Sequence, residues 1–130
     1  MKMKESRIQR LYTCPCCGFP TLEERIVWDI CSLCWWEDDG QDDNDADDVR
    51  GGPNYSYSLT VARDNFDKHF LMYNLNPDEN EAVINSHFKK LEKKKEIIEL
   101  LFQFMEGKGS SSTKPVKRWK EIKYLLDNFR

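Results

Sequence analysis

Two Cys-x-x-Cys pairs, Cys14-Pro15-Cys16-Cys17 and Cys31-Ser32-Leu33-Cys34, flank a short spacer, residues 18–30, near the start of the chain. Each pair can turn sharply as a knuckle, in which two sulfurs face one cation at about 2.3 Å and nearby backbone N–H groups point at the sulfurs. Pro15 fixes φ after the first ligand, and Gly18 relieves the turn after the second. Four thiolates around one ion close a tetrahedron and leave no position for a substrate, which is the geometry of a structural site rather than a catalytic one. Zinc is the expected cofactor, one ion held by Cys14, Cys17, Cys31 and Cys34; iron fits the same tetrahedron. The spacer is slightly short, but two strands with a turn near Glu23-Glu24-Arg25 fit within it.

Cys16 is left over. It can be read as a low-pKa thiol beside a cation, open to redox chemistry, or as a small residue at the variable position of the knuckle. The second reading is favoured, because no His lies within fifty residues and no resolving Cys is free. Five cysteines with four in tight pairs point to metal before disulfides in a reducing compartment. No stretch approaches the roughly 20 apolar residues that span a bilayer, and MKMKESRIQRLYT lacks the apolar segment of a signal peptide. A cytoplasmic location is expected.

With 130 residues, a single domain over 1–130 is the default, since a second domain would leave each half with little core. Within it three regions follow one another. Residues 11–36 carry strand-length pieces, Leu11-Tyr12-Thr13, Thr21-Leu22 and Ile26-Val27-Trp28-Asp29-Ile30, around the cysteines. Residues 37–57 form an acidic, Gly-rich loop with no apolar periodicity, expected to be exposed. From Ser58, a good N-cap, the pattern turns helical over 58–130. Leu59, Ala62, Phe66, Phe70 and Tyr73 share one face. A second helix starts at Asn76-Pro77-Asp78-Glu79 and ends at Gly107, with Ile84, Phe88, Leu91, Ile98, Leu101 and Met105 on one side, and Lys89, Lys90, Lys93, Lys94 and Lys95 on the other. Its length allows for a break near the lysines. GKGSSSTKP reads as a flexible link, and Trp119, Ile122, Leu126 and Phe129 mark a last helix. The fold class is α+β: a zinc ribbon of short strands, then about three helices.

Charge divides the chain. Residues 1–76 carry 8 basic and 14 acidic side chains, and residues 77–130 carry 12 and 9. A four-thiolate site adds two further negative charges to the first part, which makes it a poor partner for nucleic-acid phosphates. The lysine run is interleaved with Glu92, Glu96 and Glu99, as on an ordinary solvated helix face. From Glu37 to Asp48 eight carboxylates fall in twelve residues. An EF-hand started at Asp43 fails, with Asp48 at the glycine position and Asn54 at the glutamate position. The loop is either solvated surface or a docking face for a basic protein. In the docking reading Asp38, Asp39, Asp42, Asp43, Asp45, Asp47 and Asp48 supply the charge, and Trp35 and Trp36 are divided between core and anchor. His69 and His87 are isolated, as surface or packing residues are.

The stretch Tyr12 to Phe66, with CPCCGFPTLEER, ICSLCWWEDDG, RGGPN and SLTVARDNF, resembles the CPCC cysteine-rich family of small bacterial proteins. The resemblance implies a zinc-ribbon-like fold and no assigned enzymatic activity. It also implies an association with toxin and immunity neighbourhoods. The expected function is a non-enzymatic zinc-binding interaction module, with an immunity-type protein that masks a basic toxin as its narrower form; a nucleic-acid-binding ribbon and a thiol redox protein acting through Cys16 are the alternatives.

Overall fold

The computed structural model of the chain describes residues 7–8, 10–105 and 115–129. The expected end of the second helix at Gly107 and all of the expected link 107–115 except Pro115, which opens the last helix, lie outside the described residues. The chain divides into two compact units, Met1–Asn80 and Glu81–Arg130.

The first unit opens with a three-stranded antiparallel sheet in the order β1 (Arg7–Ile8), β2 (Leu11–Thr13) and β3 (Pro20–Leu22). Ile8 pairs with Leu11 and Tyr12 with Leu22, and the register shifts between Tyr12 and Thr13, just before the first cysteine. The third expected strand, Ile26 to Ile30, does not form. Ile26 and Trp28 take φ of 62° and 66°, values that break an extended backbone. The Ile26 N–H, which a strand would give to its neighbour, donates instead to Asp38 Oδ2 at 2.7 Å. Only an isolated antiparallel bridge survives, between Ile30 and Glu37.

Asn54 explains why the GGPN segment accompanies WEDDG. It is buried, and its side chain acts as a substitute strand for Glu37: Oδ1 accepts from the Glu37 N–H at 3.0 Å and Nδ2 donates to the Glu37 carbonyl at 2.7 Å. Two side-chain to main-chain hydrogen bonds thereby close the loop on Glu37, which itself bridges Ile30 of the ribbon.

Helix α1 (Leu59–His69) begins as expected, with Ser58 Oγ accepting from the Val61 N–H at 3.1 Å. It ends at Phe70, whose left-handed conformation (φ 66°) lets its N–H close on the Phe66 carbonyl. Leu59, Ala62 and Phe66 of the helix are buried, as are the ribbon residues Phe19, Leu22, Leu33 and Trp36 and, past the helix, Leu71 and Met72. The Phe19 and Phe66 rings meet edge to face at 6.3 Å.

Helix α2 (Pro77–Met105) starts where Asn76, Pro77 and two acids predict, with Asn76 Oδ1 accepting from the Asp78 N–H. Its irregularity lies at Asn80 (φ −131°, ψ 30°), not at the lysine run. The Asn80 amide is held by the Tyr57 hydroxyl and by the Asn74 carbonyl and side chain, at 3.0 to 3.2 Å. This local anchorage outweighs regular helix geometry in the first turn.

In the second unit α2 runs on to Met105 and is joined by α3 (Pro115–Phe129). Trp119, Ile122, Leu126 and Phe129 are buried as the periodicity requires, and Trp119 stacks near Phe104 with ring centres 5.3 Å apart. The buried stripe of α2 differs from the expected one. Ile97, Ile98 and Leu101 are inside, Phe88 and Met105 are exposed, and Lys94, assigned to the solvated face, is fully buried with Nζ 3.1 Å from His87 Nδ1. Among the described residues no helix is long and apolar enough to cross a membrane.

Candidate metal centre

Cys14 and Cys17 sit on the turn after β2, and Cys31 and Cys34 on a second turn of the same backbone form. In the first, Cys14 N–H donates to the Phe19 carbonyl at 2.9 Å and Gly18 N–H to the Cys14 carbonyl at 2.9 Å. In the second, Cys31 N–H donates to the Trp36 carbonyl at 2.9 Å and Trp35 N–H to the Cys31 carbonyl at 3.0 Å. The residue after the last ligand is left-handed in both, Gly18 at φ 79° and Trp35 at φ 72°. Two identical turns facing each other therefore bring four sulfurs together. All four Sγ atoms lie within 4.8 Å of one another, with Cys14 to Cys34 and Cys17 to Cys31 at 3.6 Å. Arms of about 2.3 Å around a tetrahedral ion give edges of about 3.8 Å, so this cage fits one metal ion.

The surroundings prepare the sulfurs for negative charge. Leu33 N–H and Cys34 N–H both point at Cys31 Sγ at 3.4 Å, Trp36 N–H points at Cys34 Sγ at 3.4 Å, and the buried Thr21 hydroxyl donates to Cys31 Sγ at 3.0 Å. Thr21 is a supporting residue that the cysteine spacing alone does not reveal. Burial drives the Cys14, Cys17 and Cys34 thiols well above their ordinary value. Burial also opposes ionisation of Cys31, but hydrogen bonds from Cys14, Cys17 and Cys34, including the Cys34 N–H, overcome it and hold Cys31 well below. Burial thus works against four thiolates side by side, and a bound divalent cation would offset that cost.

This pattern of two matched knuckles around one cage coincides with a family signature: the family model described as cysteine-rich CPCC matches residues 12–78, just over half of the chain. The chain belongs to the cysteine-rich CPCC family. Comparison with curated proteins and with solved structures finds no similar chain.

The second cysteine of the CPCC motif, Cys16, is buried and occupies the place that Leu33 fills in the second knuckle. A hydrogen bond with Cys34 lowers its pKa, but burial and the nearby Cys14 and Cys31 outweigh that bond, and the thiol stands above its ordinary value. Its environment is that of a packing residue. Around the CPCC cage, Arg63 of α1 donates to the Pro15 carbonyl at 2.8 Å and the Met72 N–H to the Cys34 carbonyl at 3.0 Å, so each knuckle is tied to the helical part of its own unit.

The acidic loop is less exposed than its composition implies. The Asp38 side chain is completely buried, taking Arg25 Nε at 2.8 Å, the Ile26 N–H at 2.7 Å and the Gly40 N–H at 3.2 Å. Asp39 is buried and accepts from the Gln41 N–H. Asp42 and Asp45 form a reciprocal cap on the one-turn 3-10 helix Asp43–Asp45, and Arg50 pairs with Asp45. The Asp42 N–H, with Arg50 behind it, holds the Asp45 carboxyl below its ordinary value. Asp43 meets Arg63 at 2.8 Å and Asp47 accepts from the Thr60 hydroxyl at 2.5 Å. Mutual repulsion is thus offset by arginines and N–H groups within the fold. Asp43, Asp47 and Asp48 remain open to solvent. Trp36 is fully buried and Trp35 half-buried, so of the expected anchors Trp36, Asp38 and Asp39 have almost no surface to offer.

Proposed function

We propose that this CPCC protein is a non-enzymatic, zinc-binding interaction module in which zinc organises the ribbon and the ribbon presents an acidic surface to a basic partner protein. The observation that carries the zinc reading is the closed cage of four cysteine sulfurs, with Cys14, Cys31 and Cys34 buried and Cys17 partly so, a set that suits zinc and leaves no coordination position for a substrate. A buried Cys16 with a raised thiol argues against the redox alternative. The acidic excess around the cage argues against the nucleic-acid alternative.

The partner reading rests on Asp43, Asp47 and Asp48, the carboxylates of the loop that stay exposed. Such charge steers association and sets specificity more than it adds affinity. A basic toxin masked by an immunity-type protein is the narrower form of this proposal. Its test is capture of the product of the adjacent gene by the wild type and by a variant carrying Asp43→Asn, Asp47→Asn and Asp48→Asn. Slower association at low salt with zinc retained supports it. Equal on-rates for both proteins contradict it.

A further inference from the structure

The ribbon carries a segment whose conformation its own burial does not account for. Ile26 and Trp28 hold φ of 62° and 66°, a region that Gly or Asn enters easily and that strains a β-branched or bulky side chain. Buried contacts would offset such strain, yet Ile26, Val27, Trp28 and Ile30 are 44, 53, 56 and 48% exposed. Four large apolar side chains within five residues thus face water on a tip, residues 26–30, just before the second knuckle.

Beneath the tip lies a brace. Asp38, with its side chain sealed from solvent, accepts from Arg25 and from the Ile26 N–H, its own N–H donates to the Asp29 carbonyl at 3.0 Å, and its carbonyl accepts from the Trp28 N–H at 3.2 Å. Asp29 Oδ2 in turn accepts from the Glu23 N–H at 2.9 Å. Gly40 fits closely below, since a methyl built there would lie 3.0 Å from Ile26 Cγ2. A buried ion pair and four hydrogen bonds keep the tip in its strained form, which is how a preorganised binding element is built.

Charge narrows what the tip can meet. Glu23 and Glu24 are exposed at its base, and residues 1–80 carry 16 acidic against 8 basic side chains. An anionic lipid surface or a nucleic acid would be repelled. We propose that Ile26, Val27, Trp28 and Ile30 form a docking knob that enters an apolar pocket ringed by Lys and Arg on a partner protein. This deepens the interaction reading above and rests on it, with Trp28 as the desolvated anchor in place of Trp36.

Two measurements on the full zinc-loaded chain test the knob. The first is thermal unfolding of Ile26→Gly and Trp28→Asn. Side chains held out for a partner predict a Tm equal to the wild type or higher by up to about 3 °C, as strain is released; any measurable fall assigns them to the fold and overturns the proposal. The second places the photo-crosslinking residue p-benzoylphenylalanine at position 27, irradiates cells of the source organism and identifies the product by mass spectrometry. The expected result is one protein, cross-linked at an apolar site flanked by Lys or Arg, lost with Trp28→Asn and kept with Phe88→Asn. No product, a product with nucleic acid or lipid, or a product insensitive to Trp28→Asn overturns it. If capture is insensitive to Trp28→Asn but falls with the Asp43, Asp47 and Asp48 variant, the interaction reading stands and the knob alone fails.

Discussion

The two knuckles of the metal cage share a backbone and differ in nearly every side chain that is not a ligand. Pro15, Cys16, Gly18 and Phe19 in the first correspond to Ser32, Leu33, Trp35 and Trp36 in the second. The left-handed position after the last ligand is held by glycine in one and by tryptophan in the other. Metal geometry thus follows from the turn and its two hydrogen bonds, and not from one preferred residue at each site. What distinguishes the knuckles is their surroundings. The second receives the Thr21 hydroxyl and the N–H groups that converge on Cys31, and it leads directly into the braced loop of Asp38.

If the knuckles are equivalent in holding the ion, removing a ligand from either has the same outcome. Cys14→Ser and Cys31→Ser should each lose the metal and unfold the ribbon, a loss of more than about 5 kcal/mol, read by metal analysis and by amide exchange over residues 11–36. Retention of metal by one variant alone would break the equivalence. A smaller effect separates the Asp38 brace from the cage. Asp38→Ala leaves Arg25 with its charge buried and its main partner gone, and should cost about 3 kcal/mol in chemical denaturation while metal content is unchanged.

The left-handed positions sharpen the comparison further. No atom lies within 4 Å of a methyl built on Gly18, so Gly18→Ala tests backbone conformation alone and should cost about 1 kcal/mol with the metal kept. The smallest effect is expected at Cys16, which fills the place of Leu33. Cys16→Ser should keep full metal and lose less than about 1 kcal/mol in thermal unfolding; loss of metal there would reassign the ligand set.

The four-cysteine cluster was legible because Cys-x-x-Cys spacing reports a local turn, and a local turn needs no knowledge of distant residues. The Ser58 cap, the Asn76-Pro77 helix start and the buried face of Trp119, Ile122, Leu126 and Phe129 were legible for the same reason. The errors arose where tertiary partners decide. Ile26 to Ile30 has strand composition, but the Asp38 carboxylate captures the N–H that pairing would use. The acids of the loop read as solvated because composition cannot show that Arg25, Arg50 and Arg63 return to meet them. Lys94 read as surface within a run of lysines, yet it lies at seven residues from His87, on the buried stripe.

The account rests on two knuckles closing one cage around one ion. Native mass spectrometry of the reduced, purified chain, with cobalt substitution followed by absorption spectroscopy, tests this most directly. The expected result is one zinc per chain and a cobalt derivative with the charge-transfer bands of four thiolates. Less than half an equivalent of zinc, or a cobalt spectrum of fewer than four sulfurs, would contradict it.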